Sequence, residues 1–270
     1  MARPGGDGAV GDGAQRMAGW RVVATAVLLL VAVVLGGVSQ RVTGMGFALV
    51  TAPFLVLLLG PVGGVLVVNV CAALTSTLIL LRVRRDVAWR RYALLGGAAV
   101  VGILPGSVLA QAAPSAWLEL VVGVLVLLAL ASSLIARRAP AVTGTAPAVV
   151  AGLAAGAMNT TAGVGGPAFS VYAVASRWPQ RSFAATLQPL FITTGLVSFG
   201  SKLAIDPSSL PALAWWVWLG IAAALGLGVL LGDRASRHLS QRTARAGLLV
   251  VAATGAATIA VRGLLELLAG

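Results

Sequence analysis

Long apolar stretches alternate with short polar or basic connections along this chain. The first stretch covers residues 22–38, and from Val22 to Leu81 the one charged residue is Arg41. There, Gly36, Gly37, Gly44 and Gly46 bracket a polar patch, Ser39-Gln40-Arg41 with Thr43. An apolar run follows to Leu59, then a Gly60-Pro61 break and a second run over 62–81. A helical membrane crossing takes about 20 mostly apolar residues. The pattern predicts one helix up to the patch, a short helix after it, and a full crossing after Pro61. Residues 92–112 and 117–136 predict two more crossings, joined by a turn at Pro114-Ser115.

The second half repeats this plan. Residues 148–158 are apolar, and a Gly-rich patch follows: Asn159-Thr160-Thr161-Ala162-Gly163-Val164-Gly165-Gly166-Pro167. A short run reaches Ser176, a turn occupies 177–181, and crossings are predicted at 183–203, 212–232 and 246–261. Each half thus holds five apolar segments, the second of them short. Five is odd, so two consecutive copies must run through the membrane in opposite senses, the arithmetic of an inverted repeat. The expected fold is an all-α polytopic membrane protein of two inverted repeats, with eight full spans plus short broken or re-entrant segments. Shifted by 119 positions, Gly37, Gly44 and Gly46 fall on Gly156, Gly163 and Gly165; Gln40 falls on Asn159, Asn69 on Gln188 and Thr75 on Thr194.

Charge orients the segments. Arg82, Arg84, Arg85, Arg90 and Arg91 lie in one connection and Arg137-Arg138 end another, and basic connections stay cytoplasmic. With those inside, the basic stretches at 177–181 and 233–245 also fall inside, while the turns at 113–116 and 204–211, which hold no Arg or Lys, fall outside. Both termini are then extracytoplasmic. Trp20, Trp117, Trp215, Trp216 and Trp218 fall at outer ends, and Trp89, Tyr92 and Trp178 at inner ends, as interfacial belts require. Residues 1–19, Gly-rich and polar, read as a disordered tail, with Met17 a second candidate start. The first repeat then covers 20–138, a cytoplasmic linker 139–147, and the second repeat 148–270.

Composition agrees with this reading and narrows the function. Of 270 residues, 59% are hydrophobic and 10% charged, against roughly 25% charged in ordinary soluble domains. The net charge of +12 is spread over connections rather than gathered on a soluble face, which argues against nucleic acid as a partner. The lone Cys71 lies in an apolar run and the lone His238 in a basic stretch, so neither builds a metal site or a nucleophile with a base. No catalytic motif falls within the spans, and no enzyme activity or cofactor is expected.

The candidate chemistry lies in the two patches. Backbone freed from helix bonding finds no water in lipid, so such breaks survive where they are buried in protein or line a cavity. Helix N-termini exposed there offer N–H donors and partial positive charge to an anion. Matched breaks in the two halves point to a binding site between them. The candidate substrate-binding residues are Gln40, Arg41, Thr43, Gly44 and Gly46 from the first patch, and Asn159, Thr160, Thr161, Gly163, Gly165 and Gly166 from the second. Asn69 and Gln188, amides inside apolar runs, join them as site residues or as interhelical glue. For Arg41 two readings stand side by side: the positive partner of the anion, or one more interfacial arginine. The seven acids fall in the tail, in connections or near span ends, which disfavours a cation carrier.

Six short motifs carry a family resemblance. Gly44-Met45-Gly46-Phe47-Ala48-Leu49-Val50 with Pro53, Arg85-Asp86-Val87-Ala88-Trp89-Arg90 and Gly102-Ile103-Leu104-Pro105-Gly106 are three of them. Gly163-Val164-Gly165-Gly166-Pro167, Arg181-Ser182-Phe183-Ala184-Ala185-Thr186 and Leu231-Gly232-Asp233-Arg234 are the others. In order and spacing they resemble the sulfite exporter TauE/SafE family over roughly residues 20–265. The resemblance implies a bacterial inner-membrane permease for sulfite, sulfonates or related organic anions; the two matched Gly-rich breaks add the expectation of alternating access around a site between them, with the lipid bilayer and a small anion as partners. A homodimer, a channel-like or cation-handling protein, and a non-transporting subunit of a complex stay open.

Overall fold

The computed structural model describes the backbone of residues 7–44, 46–135, 142–238 and 241–269, with side chains for 20, 23–44, 46–131, 142–236 and 247–269. Ten α-helices and no strand occur among the described residues. They are α1 (Asp7–Thr43), α2 (Phe47–Leu59), α3 (Pro61–Val83), α4 (Trp89–Ala112) and α5 (Ser115–Ile135), then α6 (Ala146–Ala162), α7 (Gly166–Ala175), α8 (Gln180–Ile205), α9 (Trp215–His238) and α10 (Gln241–Ala269). Single 3-10 turns at Arg84–Asp86 and Pro207–Ser209 help join α3 to α4 and α8 to α9. Pro61 at the first turn of α3 and Pro147 and Pro167 at the starts of α6 and α7 occupy positions where a missing N–H costs nothing.

Six of these helices are long and apolar enough to cross a membrane: Val23–Thr43, Pro61–Asp86, Trp89–Ala112, Gln180–Ile205, Trp215–Ser236 and Gly247–Ala269. Eight full spans were expected; beyond these six, α5 is a 21-residue apolar helix of about 31 Å, and α6 is shorter. Within the described side chains α5 counts as the shorter apolar helix Ser115–Ala131. With 17 residues α6 reaches only about 25 Å, less than the hydrocarbon thickness of about 30 Å. The Gly-rich break at its end stops it.

Two further expectations change. Residues 7–19 belong to α1 rather than to a polar tail, while residues 1–6 lie outside the described residues. Residues 233–238 and 241–245 are helix rather than loop: α9 continues to His238 and α10 starts at Gln241, because Arg, Ala and Gln favour helix once the chain has left the apolar layer. The His238 side chain, Arg137-Arg138 and the first part of the 139–147 linker lie outside the described residues.

The most extensive helix contacts pair α4 with α6, α1 with α9, α5 with α10 and α3 with α8. The α4–α6 seam is held by small residues: a Cβ at Gly156 would collide with the Ala99 carbonyl, and one at Gly102 with the Leu153 carbonyl. Such close approach drives helix association where lipid removes the hydrophobic incentive. Large apolar side chains are exposed on the outside of α4, α5, α9 and α10, among them Val108, Leu128, Leu219 and Leu265. That surface suits lipid and not water.

Ion pairs and hydrogen bonds assign the connections to two faces. Arg181 at the start of α8 pairs with Asp86 at 2.9 Å, and Arg82 at the end of α3 pairs with Asp233 of α9 at 3.1 Å, so the basic ends share one face. Gln111 near the end of α4 donates to Ser209 at 2.8 Å, bringing the connection after α4 and the turn after α8 to the other. Of the aromatic belt, Trp20, Trp89, Trp117 and Trp215 are exposed. Trp178 is instead buried, with the Arg91 guanidinium 4.5 Å from its ring centroid and Phe183 and Tyr172 at its edges.

Gly156→Val should break the α4–α6 seam, costing about 1–3 kcal/mol as overpacking. Gly97→Ala, at an exposed helical position with open space, should be neutral or stabilising by up to about 1 kcal/mol. Thermal denaturation of the two variants in detergent checks this; equal melting temperatures would contradict it.

Candidate functional site

Two helix breaks of the same geometry form the centre of the molecule. Helix α1 ends at Thr43, Gly44 takes φ 83°, Gly46 returns to φ −84°, and α2 begins. Helix α6 ends at Ala162, Gly163 takes φ 73°, Gly165 returns to φ −89°, and α7 begins. The amide of Gly44 bonds the Gln40 carbonyl and that of Gly163 the Asn159 carbonyl, both at 2.8 Å. A left-handed residue closing the last helical turn is a glycine position because a Cβ there is penalised. Met45, between the first two glycines, lies outside the described residues.

The unwound chain is therefore shorter than the polar patches suggest. Gln40, Arg41 and Thr43 sit on the last turn of α1, and Asn159, Thr160 and Thr161 on the last turn of α6. Among the described residues of the two patches, only Gly44 and Gly46, and Gly163, Val164 and Gly165, are non-helical. Gly166 opens α7, whose N-terminus has no side-chain cap.

Four buried amides knit these breaks to the long central helices α3 and α8. Gln40 donates through Nε2 to Ser76 Oγ (3.3 Å) and to Gln188 Oε1 (3.5 Å), and its Oε1 accepts from the Phe47 amide at 3.1 Å. Gln188 in turn donates to the carbonyls of Gly44 (3.3 Å) and Ala184 (2.9 Å). Asn159 donates through Nδ2 to Asn69 Oδ1 (2.9 Å) and to the Thr194 carbonyl (3.2 Å), and Asn69 donates to Ser198 at 3.2 Å. Each break is thus tied to the long helix of the other half.

Two cavities meet at this cluster. The smaller, of about 20 Å³, has room for about one water and is lined by Gln40, Phe47, Asn69, Asn159 and the 163–167 segment. The larger, of about 990 Å³, runs from Gln40, Gly44, Gly46 and Gln188 to Arg41, Thr43, Arg82, Asp86 and Arg181 at the basic helix ends. Gln40, Leu49 and Pro167 line both.

Of the expected site residues, Thr160 and Thr161 line neither cavity. Thr160 meets Ser107 of α4 at 3.1 Å, and Thr161 bonds back to the Ala157 carbonyl at 2.8 Å. Arg41 lines the larger cavity, and its guanidinium is ion-paired with Asp233 of α9, which also holds Arg82. Its charge is therefore partly offset.

Sequence reasoning missed Ser76 and Ser198, the hydroxyl partners of the amides, and missed Lys202 on α8. Lys202 is fully buried, its Nζ has no hydrogen-bond partner, and it makes no ion pair among the described residues. The available signal is that every other one of the nineteen basic residues is arginine.

The family model described as sulfite exporter TauE/SafE matches residues 28–259, most of the chain. The chain belongs to the TauE/SafE family. Both Gly-x-Gly breaks, all four amides and Lys202 of this TauE/SafE chain fall within the matched region. Family membership and the six apolar helices together make it a multi-pass membrane protein of a transporter family. No curated protein and no solved structure matches it.

In a double-mutant cycle, Asn69→Ala and Asn159→Ala should prove non-additive, with a coupling of about 0.6–2 kcal/mol, the range for buried interhelical hydrogen bonds in membranes. Strictly additive losses in thermal stability would show that the two amides do not depend on each other.

Proposed function

We propose that this TauE/SafE protein is a bacterial inner-membrane permease that carries a small oxyanion or sulfonate by alternating access around the amide cluster. It would be built from two inverted five-helix repeats, α1–α5 and α6–α10, with eight helices crossing and the short α2 and α7 following the breaks. Three observations support the repeats. The Gly-x-Gly triplets match in dihedral angle and in cap bonding. The α1–α9 seam is matched by α6–α4. The pair Gln40–Gln188 becomes Asn159–Asn69 under the same shift of 119 that aligns the halves.

The observation that carries the function is the large cavity. It opens among Arg41, Arg82 and Arg181, with Asp86 the one acid in its lining, and ends on buried amides and glycine backbone. A positive mouth concentrates anions, and the inner end offers N–H donors with no carboxylate. A sulfite or sulfonate head, with oxygens on one pole, is suited to several N–H groups converging from different helices. Basic ends are cytoplasmic, so this conformer is inward-facing. At the breaks the space narrows to about one water, which suits a carrier better than an open channel.

Purified protein in liposomes should exchange radiolabelled sulfite or sulfoacetate. Gln40→Ala and Gly165→Leu should each lower exchange at least about tenfold, the equivalent of about 1.4 kcal/mol. Arg41→Ala should lower it less, because Arg82 and Arg181 still line the mouth. Absence of exchange by intact protein, or full exchange by both inner variants, would overturn the reading.

A further inference from the structure

The amides and the inward cavity leave the buried charge of Lys202 without a role. Lys202 is the chain's sole lysine. It lies near the end of α8 farthest from Arg181, and its ammonium is enclosed by protein with no acceptor among the described residues. A structural lysine so placed would be expected to pair or to reach the interface, because an unpaired charge in a dry interior is strongly unfavourable. The nearest acid along the chain, Asp206, is occupied elsewhere. It accepts from the Ser208 amide and hydroxyl and from the Ser209 hydroxyl, which hold its carboxyl below the ordinary carboxylate range.

The repeat supplies a reason for the missing partner. Helices α3 and α8 stay in register under the shift of 119. Pro61 and Gln180 are their first residues. Thr75 and Thr194 each bond the carbonyl four residues back, at 2.8 and 2.9 Å. On α3, Ile79, Arg82 and Val83 line the inward cavity. The same shift leads to Ser198, Ser201 and Lys202 on α8. In an inverted-repeat carrier the two halves exchange conformations between the inward and outward states. The surface that α3 gives to the cavity on one side, α8 gives on the other.

We propose that Lys202, with Ser198 and Ser201, lines the outward-facing vestibule and that its ammonium binds the oxyanion or sulfonate there. This rests on the reading of the chain as an alternating anion carrier. In the inward conformer the vestibule is closed: Ser201 is hydrogen-bonded to Ser107 at 2.7 Å, Ser198 to Asn69, and the Lys202 carbonyl accepts from Gln111 at 3.2 Å. Among the described residues the ammonium has no acceptor in that state because its acceptor is the solute.

The test has two arms on the full chain. In the first, Ser201→Cys is placed on a Cys71→Ala background, Cys71 being buried. Intact cells are treated with a membrane-impermeant cationic methanethiosulfonate. Labelling from the outer face, slowed by added sulfoacetate, is the expected result. In the second, sulfoacetate is titrated against the melting temperature of purified protein. Lys202→Gln should melt higher than wild type without ligand, since a buried unpaired charge is gone, and should need at least about tenfold more sulfoacetate for the same shift. Lys202→Arg should keep most of the wild-type response. Protection of wild type and Lys202→Gln at equal concentrations, or no outer labelling of Ser201→Cys, would overturn the proposal alone. Wild type unprotected by sulfoacetate, sulfite or sulfate would overturn the anion reading and this proposal with it.

Discussion

An amide without a partner inside a bilayer is the constraint around which this chain is arranged. Two helices, α1 and α6, end at glycine breaks within the protein, and each end leaves carbonyls and N–H groups that lipid cannot solvate. The chain answers locally and then globally. Locally, Gly44 and Gly163 turn left-handed and return their N–H groups to the preceding helical turn. Globally, Gln40, Gln188, Asn69 and Asn159 fill the bonding left over, each reaching across to a helix of the other half. Small-residue seams such as that of Gly156 against Ala99 bring the helices close enough for short amide side chains to meet.

The distribution of charge follows from the same constraint. Nearly all charged side chains gather at helix ends, where Arg41 and Arg82 share Asp233 and Arg181 holds Asp86. The interior is polar but uncharged at the breaks. On the proposed reading, a neutral, donor-rich interior behind a cationic mouth would admit anions without trapping them. Lys202 also lies at a helix end, in the last turn of α8, but differs from the rest in being fully buried with no acceptor among the described residues.

Much of this was legible before any coordinates. The Gly-x-Gly triplets announce themselves because glycine is the residue that accepts a positive φ without strain, and their repetition at a fixed shift marks out the candidate site. Asn69 and Gln188 stand out as amides in apolar runs. The extent of the breaks was not legible: Gln40 and Asn159 look like loop residues, yet a terminal helical turn tolerates polar side chains that point inward. The crossed pairing was hidden because it joins residues 148 and 90 positions apart, a tertiary fact with no local signature. Lys202 reads in sequence as an end-of-span cation that could reach the interface, and only burial distinguishes it. The length of α6 was not legible either, because the break that its own glycines create ends the helix at 17 residues.

The crossed amides also bear on how the protein is made. Both partners of the Asn69 side-chain amide, Asn159 and Ser198, are supplied by the second half. When α1–α5 have been synthesised and α6–α10 have not, this polar group already sits in an apolar helix with nothing to satisfy it. The nascent first half is therefore an incomplete membrane object, held open until the later helices arrive. Insertion and assembly become one coupled event, and a chain truncated between the halves would present its unpaired amide to lipid or to the quality-control machinery that recognises such defects.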